Sequence, residues 1–294
     1  SILEVWYFVF WPEIRRMLYY VGHPLPEYRV KASIDCVHSA EAHNQIHDDD
    51  FAKHHGFRSG LVSGASLFAY MSRPVAELLG RDWLARGSAE VRFVRPVYEG
   101  EEIRVTGSVV SIAKDGTITM ECQAANNLGA VCGIGIMRHP SSVPVVEPSA
   151  SDYPDGNGAF HRPISLETLE KGEPLRLITS ECTRSVNWQY CRKSIRDHHP
   201  LYETNIHPGW LVNRASRILS ANFAIPAWID VSSQIQNFRT IENECRVETR
   251  GRVRDRFELK GDHFVVLELA LFVPQGCLAT ILYTAIFRIA PNAA

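Results

Sequence analysis

None of the seven cysteines forms a C-x-x-C pair with another, and their number is odd. A thiolate zinc site and a secreted disulfide framework are both disfavoured, and a reducing, cytoplasmic setting is expected. Charge of one sign is also missing: 31 Lys and Arg are spread among 33 Asp and Glu, for a formal net charge of −2. No basic stripe is present to follow a phosphate backbone, so nucleic acid is not an expected partner. Long apolar runs are lacking too. Residues 2–11 are strongly apolar and aromatic but are followed by Pro12, Glu13, Arg15 and Arg16, well short of the ~20 residues a membrane-crossing helix needs. No basic stretch precedes them, so a secretion signal is not expected either. The segment reads as an aromatic strip packed on the body or across a homodimer interface.

What the chain does have is length enough for a sizeable core, with 294 residues of which 45% are hydrophobic. Residues 140–160 hold Pro140, Pro144, Pro148 and Pro154 with Gly156 and Gly158. That composition suits a surface crossing between two compact units. The expected organisation is an apolar N-terminal segment (1–25), a first unit (26–139), this Pro/Ser-rich linker (140–160) and a second unit (161–294).

The two units carry matching landmarks. After Gly64, Leu67, Phe68, Met71, Val75, Leu78 and Leu79 fall on one helical face; after Gly209, so do Leu211, Ala215, Ile218, Leu219 and Phe223. Pro208 suits a first helical turn, where its missing N–H leaves nothing unpaired. Gly64 to Phe93 and Gly209 to Phe238 both span 29 residues. Ile103, Val105, Gly107 and Val109 alternate with Glu102, Arg104, Thr106 and Ser108, and Val247, Thr249, Gly251 and Val253 alternate likewise with charged neighbours. Such alternation is the mark of a half-buried strand. Each unit thus reads as a strand (Tyr28–Cys36; Leu175–Val186), a long helix and a meander of three or four strands. The fold class is α+β, a double hotdog: two tandem units, each a long helix on a bent antiparallel sheet.

The chemistry concentrates in residues 38–70, where Asn44 and His47 form N-x-x-H, acids follow, and Leu61-Val62-Ser63-Gly64 opens the helix. Here the sequence resembles the MaoC-like, or (R)-specific enoyl-CoA hydratase, family over about residues 26–138. Its motif is G-D-x-N-P-x-H, followed by a glycine that starts the central helix. The resemblance implies that His47 is a catalytic acid/base, that Asn44 orients water or substrate, and that Gly64 with Ser63 binds the thioester carbonyl oxygen. A helix N-terminus suits that last task, since its free N–H groups stabilise developing negative charge. The motif aspartate, however, falls on Ala42. Glu41, Asp48 and Asp49 are the nearest acids that could serve as auxiliaries.

Syn hydration needs a base for the water proton and an acid for the α-carbon, and an imidazole is suited to either near neutrality. The expected function is a hydratase or dehydratase acting on a small-molecule acyl thioester such as a CoA ester, with no further cofactor. The alternatives are a non-catalytic acyl-binding or scaffold protein, for which Ala42 speaks, and a lyase or thioesterase of altered chemistry. Thioesterases of the helix-carboxylate kind carry an acid about two turns into the helix, where this chain has Tyr70-Met71-Ser72-Arg73-Pro74. His47, Asp48, Asp49, Asp50, His54 and His55 crowd one stretch, but acids at a helix start are what its dipole favours, and no metal is expected. Arg196, His198, His199 and His207 in the second unit are out of pattern and read as structural or surface groups.

Overall fold

The computed structural model describes residues 18–34, 44–142, 146–241 and 244–290. The aromatic strip through residue 17, and Cys36, Glu41, Ala42 and His43, lie outside the described residues. The first half runs β1 (Tyr28–Lys31), α1 (Asp49–His54), α2 (Gly64–Arg86), β2 (Ser88–Phe93), β3 (Glu102–Ile112), β4 (Ile118–Asn126) and β5 (Val131–His139). The second runs β6 (Ile178–Cys182), α3 (Arg184–Gln189), α4 (Pro208–Asn222), β7 (Ile229–Asn237), β8 (Cys245–Leu259), β9 (Asp262–Val273) and β10 (Gly276–Arg288). A two-residue parallel ladder joins Arg162–Pro163 to Phe223–Ala224.

These ten strands form one antiparallel sheet in the order β1-β3-β4-β5-β2-β7-β10-β9-β8-β6. The order is a mirror image about the β2–β7 junction. There, Ser88 pairs with Gln236 and Val91 with Ser233. Gly209 lies 145 residues after Gly64, so by the same offset Ser233 is the counterpart of Ser88 and Gln236 that of Val91. The junction is therefore its own image under a local twofold, as in an isologous dimer interface. Two hotdog units share one continuous sheet.

Helix α2 is buried nearly all round through its first three turns, from Gly64 to Ala76 apart from Arg73, which is how a core helix rather than a surface helix is built. Ser63 caps it by accepting from the Ser66 amide, and Gly80, at φ +64°, interrupts it near its end. Helix α4 crosses it closely: a β-carbon on Gly209 would lie 2.5 Å from that of Ala69, so only glycine permits the contact. Val186 proves helical rather than extended. Thr183 accepts from its amide and caps α3, which ends β6 at Cys182. Part of the 140–160 stretch also packs, with Tyr153 buried against Phe238 and Phe272. Among the described residues no helix is long and apolar enough to cross a membrane.

The second-half histidines have structural work. His198 contacts Arg192, and His199 caps a short turn by accepting from Leu201 N at 3.2 Å. His207 accepts from Gly209 N at 3.0 Å through Nδ1, which leaves the ring hydrogen on Nε2, 3.4 Å from Asp197 Oδ2. Arg73 of α2 donates to the other oxygen of Asp197 at 2.9 Å. Arg73, Asp197 and His207 thus join the two halves.

Candidate active site

The N-x-x-H segment is shaped by caps. Asn44 starts a single 3-10 turn, Gln45–His47. Asp48 then caps α1, accepting from Asp50 N and Phe51 N, both at 3.0 Å. Asp49 accepts from Gly60 N at 2.8 Å. Both acids are exposed and hold the loop; neither lines the cavity described below. Ile46 is buried beside Ala52, Leu61 and Ala227, which anchors the turn so that the next side chain faces inward.

That side chain is His47. Its Nδ1 lies 2.6 Å from the Leu61 carbonyl oxygen. A carbonyl only accepts, so Nδ1 carries the ring hydrogen and the neutral ring keeps its lone pair on Nε2. The tautomer is set by the backbone, and the ring lines a cavity of about 140 Å³. Phe57, Leu61, Val62, Leu67, Phe93, Val97, Trp228 and Ile229 supply its apolar walls; Asn44, His47, Ser63, Gly64, Arg95 and Asp230 supply its polar groups. A larger groove of about 600 Å³ lies on the sheet, lined by residues such as Glu90, Arg92, Glu121 and Ile136, but among the described residues no histidine or helix terminus reaches it. The smaller cavity is the one with chemistry in it.

Asn44 reaches the cavity wall but is held elsewhere. Its Nδ2 donates to the Trp228 carbonyl at 2.9 Å and its Oδ1 accepts from Trp228 N at 3.0 Å. Both ends of the amide therefore clasp the motif loop to the second half. Asn44→Ala should strand two buried backbone groups and lower unfolding free energy by about 2–3 kcal/mol, read from urea unfolding. Unchanged stability with reduced turnover would return Asn44 to a role in the reaction.

Ser63 is occupied as the cap of α2, its hydroxyl also 3.0 Å from that of Ser66. Gly64 opens the helix at the cavity, and its amide donates to Asp230 Oδ2 at 2.7 Å. Bare backbone is needed here, because a β-carbon on Gly64 would lie 2.5 Å from Asp230 Cβ and 2.6 Å from the Phe93 ring. Asp230, at the start of β7, is the acid that sequence reading missed. Tyr283 of β10 donates to its other oxygen, and Ser216 Oγ lies 3.3 Å from the Tyr283 oxygen. Burial pushes the Asp230 carboxyl above the usual range, against the opposing pull of Tyr283, His47 and the Gly64 and Ala65 amides. A signal did exist: Asp230 is the only charged residue in the run from Phe223 to Phe238, and Asp is a poor strand former.

Among the described residues no group of three or more His, Cys, Asp or Glu is arranged to hold a metal. His55 instead stacks on Phe51 and bonds its backbone oxygen at 2.9 Å.

The fold and this cavity define a double-hotdog protein. Residues 40–129 match the family model of the MaoC like domain. A structure from Chloroflexus aurantiacus J-10-fl, provisionally described as a MaoC domain protein dehydratase, superposes with TM-score 0.68 at 13% identity, covering 92% of this chain and 96% of that one. A conserved hypothetical protein from Mycobacterium tuberculosis, described as having a double hotdog fold, gives 0.60 at 11% identity over 91% and 96%. A provisionally described thioesterase from Novosphingobium aromaticivorans DSM 12444 gives 0.52 at 11% identity over 89% and 95%. No curated protein sequence matches the chain.

Proposed function

We propose that the protein is a hydratase or dehydratase of an acyl thioester, with coenzyme A as the carrier. One observation carries the reading: the His47 ring and the amino end of α2 line the same apolar-walled cavity. Adding water across the double bond of an enoyl thioester places negative charge on the carbonyl oxygen, which backbone N–H groups at a helix end stabilise. The neutral His47 ring, with its lone pair on Nε2, takes the proton of the attacking water. The apolar walls exclude competing water and strengthen both interactions.

The test is a spectrophotometric assay on a short trans-2-enoyl-CoA. Loss of the conjugated enoyl absorbance without free thiol supports the proposal. Release of free thiol without hydration would make the protein a thioesterase. Saturable binding with no turnover would make it an acyl-binding protein.

A further inference from the structure

Among the described residues the cavity holds one acid, and it comes from the half of the chain without the motif. We infer that Asp230 does the work of the missing motif aspartate, protonating the α-carbon while His47 takes the proton of water. This inference rests on the hydratase reading.

Three features of the site support it. Asp230 Oδ2 is 2.7 Å from the Gly64 amide, the group that would bind the thioester oxygen. The α-carbon is bonded to the carbon bearing that oxygen, so a carboxyl held here is within reach of it. Secondly, an ionised carboxylate at this helix end would repel the charge that develops on the thioester oxygen. Only its neutral form is compatible with the enolate, and that form carries the proton the α-carbon requires. Thirdly, among the described residues no Lys or Arg pairs with the carboxyl. The groups facing it are His47, the Tyr283 hydroxyl and the Gly64 and Ala65 amides, while the cavity's Arg95 is exposed and donates to the Val131 carbonyl at 2.9 Å. Burial favours the protonated acid.

The step balances. When the thioester oxygen takes the Gly64 amide, the displaced carboxyl stays tethered through Tyr283. The water oxygen bonds to the β-carbon, its O–H bond breaks, and that proton goes to His47 Nε2. The π electrons pass to the thioester as an enolate, the α-carbon takes the Asp230 proton, and the imidazolium returns its proton to the carboxylate. Dehydration runs the same steps backwards. His47 and Asp230 together hold one proton, so the rate should fall at both ends of the pH range.

Asn at 230 can still accept from the Gly64 amide, so Asp230→Asn keeps the structural tie and removes the acid. The experiment measures kcat and KM for hydration across the pH range in wild type and Asp230→Asn, with melting temperature as the check on folding. The expected result is kcat lowered by about 10²–10³-fold, KM within about twofold, and the alkaline limb of the profile gone while the acid limb remains. Turnover by wild type that Asp230→Asn does not diminish overturns this inference alone; no turnover by wild type overturns the hydratase reading with it. Tyr283→Phe gives a second reading should the Asn variant unfold. It removes the hydrogen bond that draws the Asp230 pKa down, so the alkaline limb should move to higher pH relative to a plateau that loss of the tether lowers. An alkaline limb that stays in place would overturn the assignment.

Discussion

His47→Asn should lower kcat for enoyl-thioester hydration by about 10³-fold, equivalent to about 4 kcal/mol of transition-state stabilisation, with little change in KM. Asparagine places its Nδ2 where His47 Nδ1 lies, 2.6 Å from the Leu61 carbonyl in the native chain, so the loop has no reason to move. What it lacks is a basic nitrogen. The pH profile gives a second reading of the same change. Native activity should fall as His47 becomes protonated, and that acid limb should disappear in the variant. Activity within a few-fold of wild type, or an acid limb that survives, would place the base elsewhere.

The second large effect concerns stability. Asp197→Ala should lower the unfolding free energy by about 3–5 kcal/mol and the melting temperature by about 10 °C. The carboxyl is only 2% exposed, and it holds Arg73 at 2.9 Å and the buried His207 at 3.4 Å. It also accepts from His199 N at 2.9 Å. Truncation leaves Arg73, His207 and the His199 amide without this acceptor. His198→Ala, on an exposed ring, should change stability by no more than about 0.5 kcal/mol and serves as the control.

The pH dependence has a definite sign. Burial works to raise the Asp197 pKa, but His207 and Arg73 hold it below the ordinary value. The folded pKa is thus below the unfolded one, so the stabilisation is complete above about pH 4. It fades as pH falls toward the folded value, and Asp197→Asn should flatten that part of the stability curve. Burial also holds the His207 pKa down, against the pull of Asp197, so the ring stays neutral and donates from Nε2. Denaturant curves for the two Asp197 variants that overlay wild type would show that the two halves are joined without this cluster.

The architecture was legible because its signals are local and repeated. Alternation of Ile103, Val105 and Val109 with polar neighbours reports a strand wherever it occurs, and the 29-residue spacing from helix start to strand end recurs in both halves. The edge that misled was Val186, an apolar residue three positions beyond a threonine that caps. Period alone does not separate a buried strand from a short helix over so few residues.

The sequence by itself determined the duplicated unit, the helix starts at Gly64 and Pro208, and the loop that carries His47. The tertiary structure decided which groups meet there. Asn44 holds Trp228, 184 residues away, and Gly64 meets Asp230 across 166 residues. Arg73 reaches Asp197 across 124. Helix and strand periods and caps arise from interactions within a few residues, which is why they can be read along the chain. Pairings across the β2–β7 junction arise only when two hotdog units close on each other through a local twofold, and that closure brings an acid of one half to the histidine of the other.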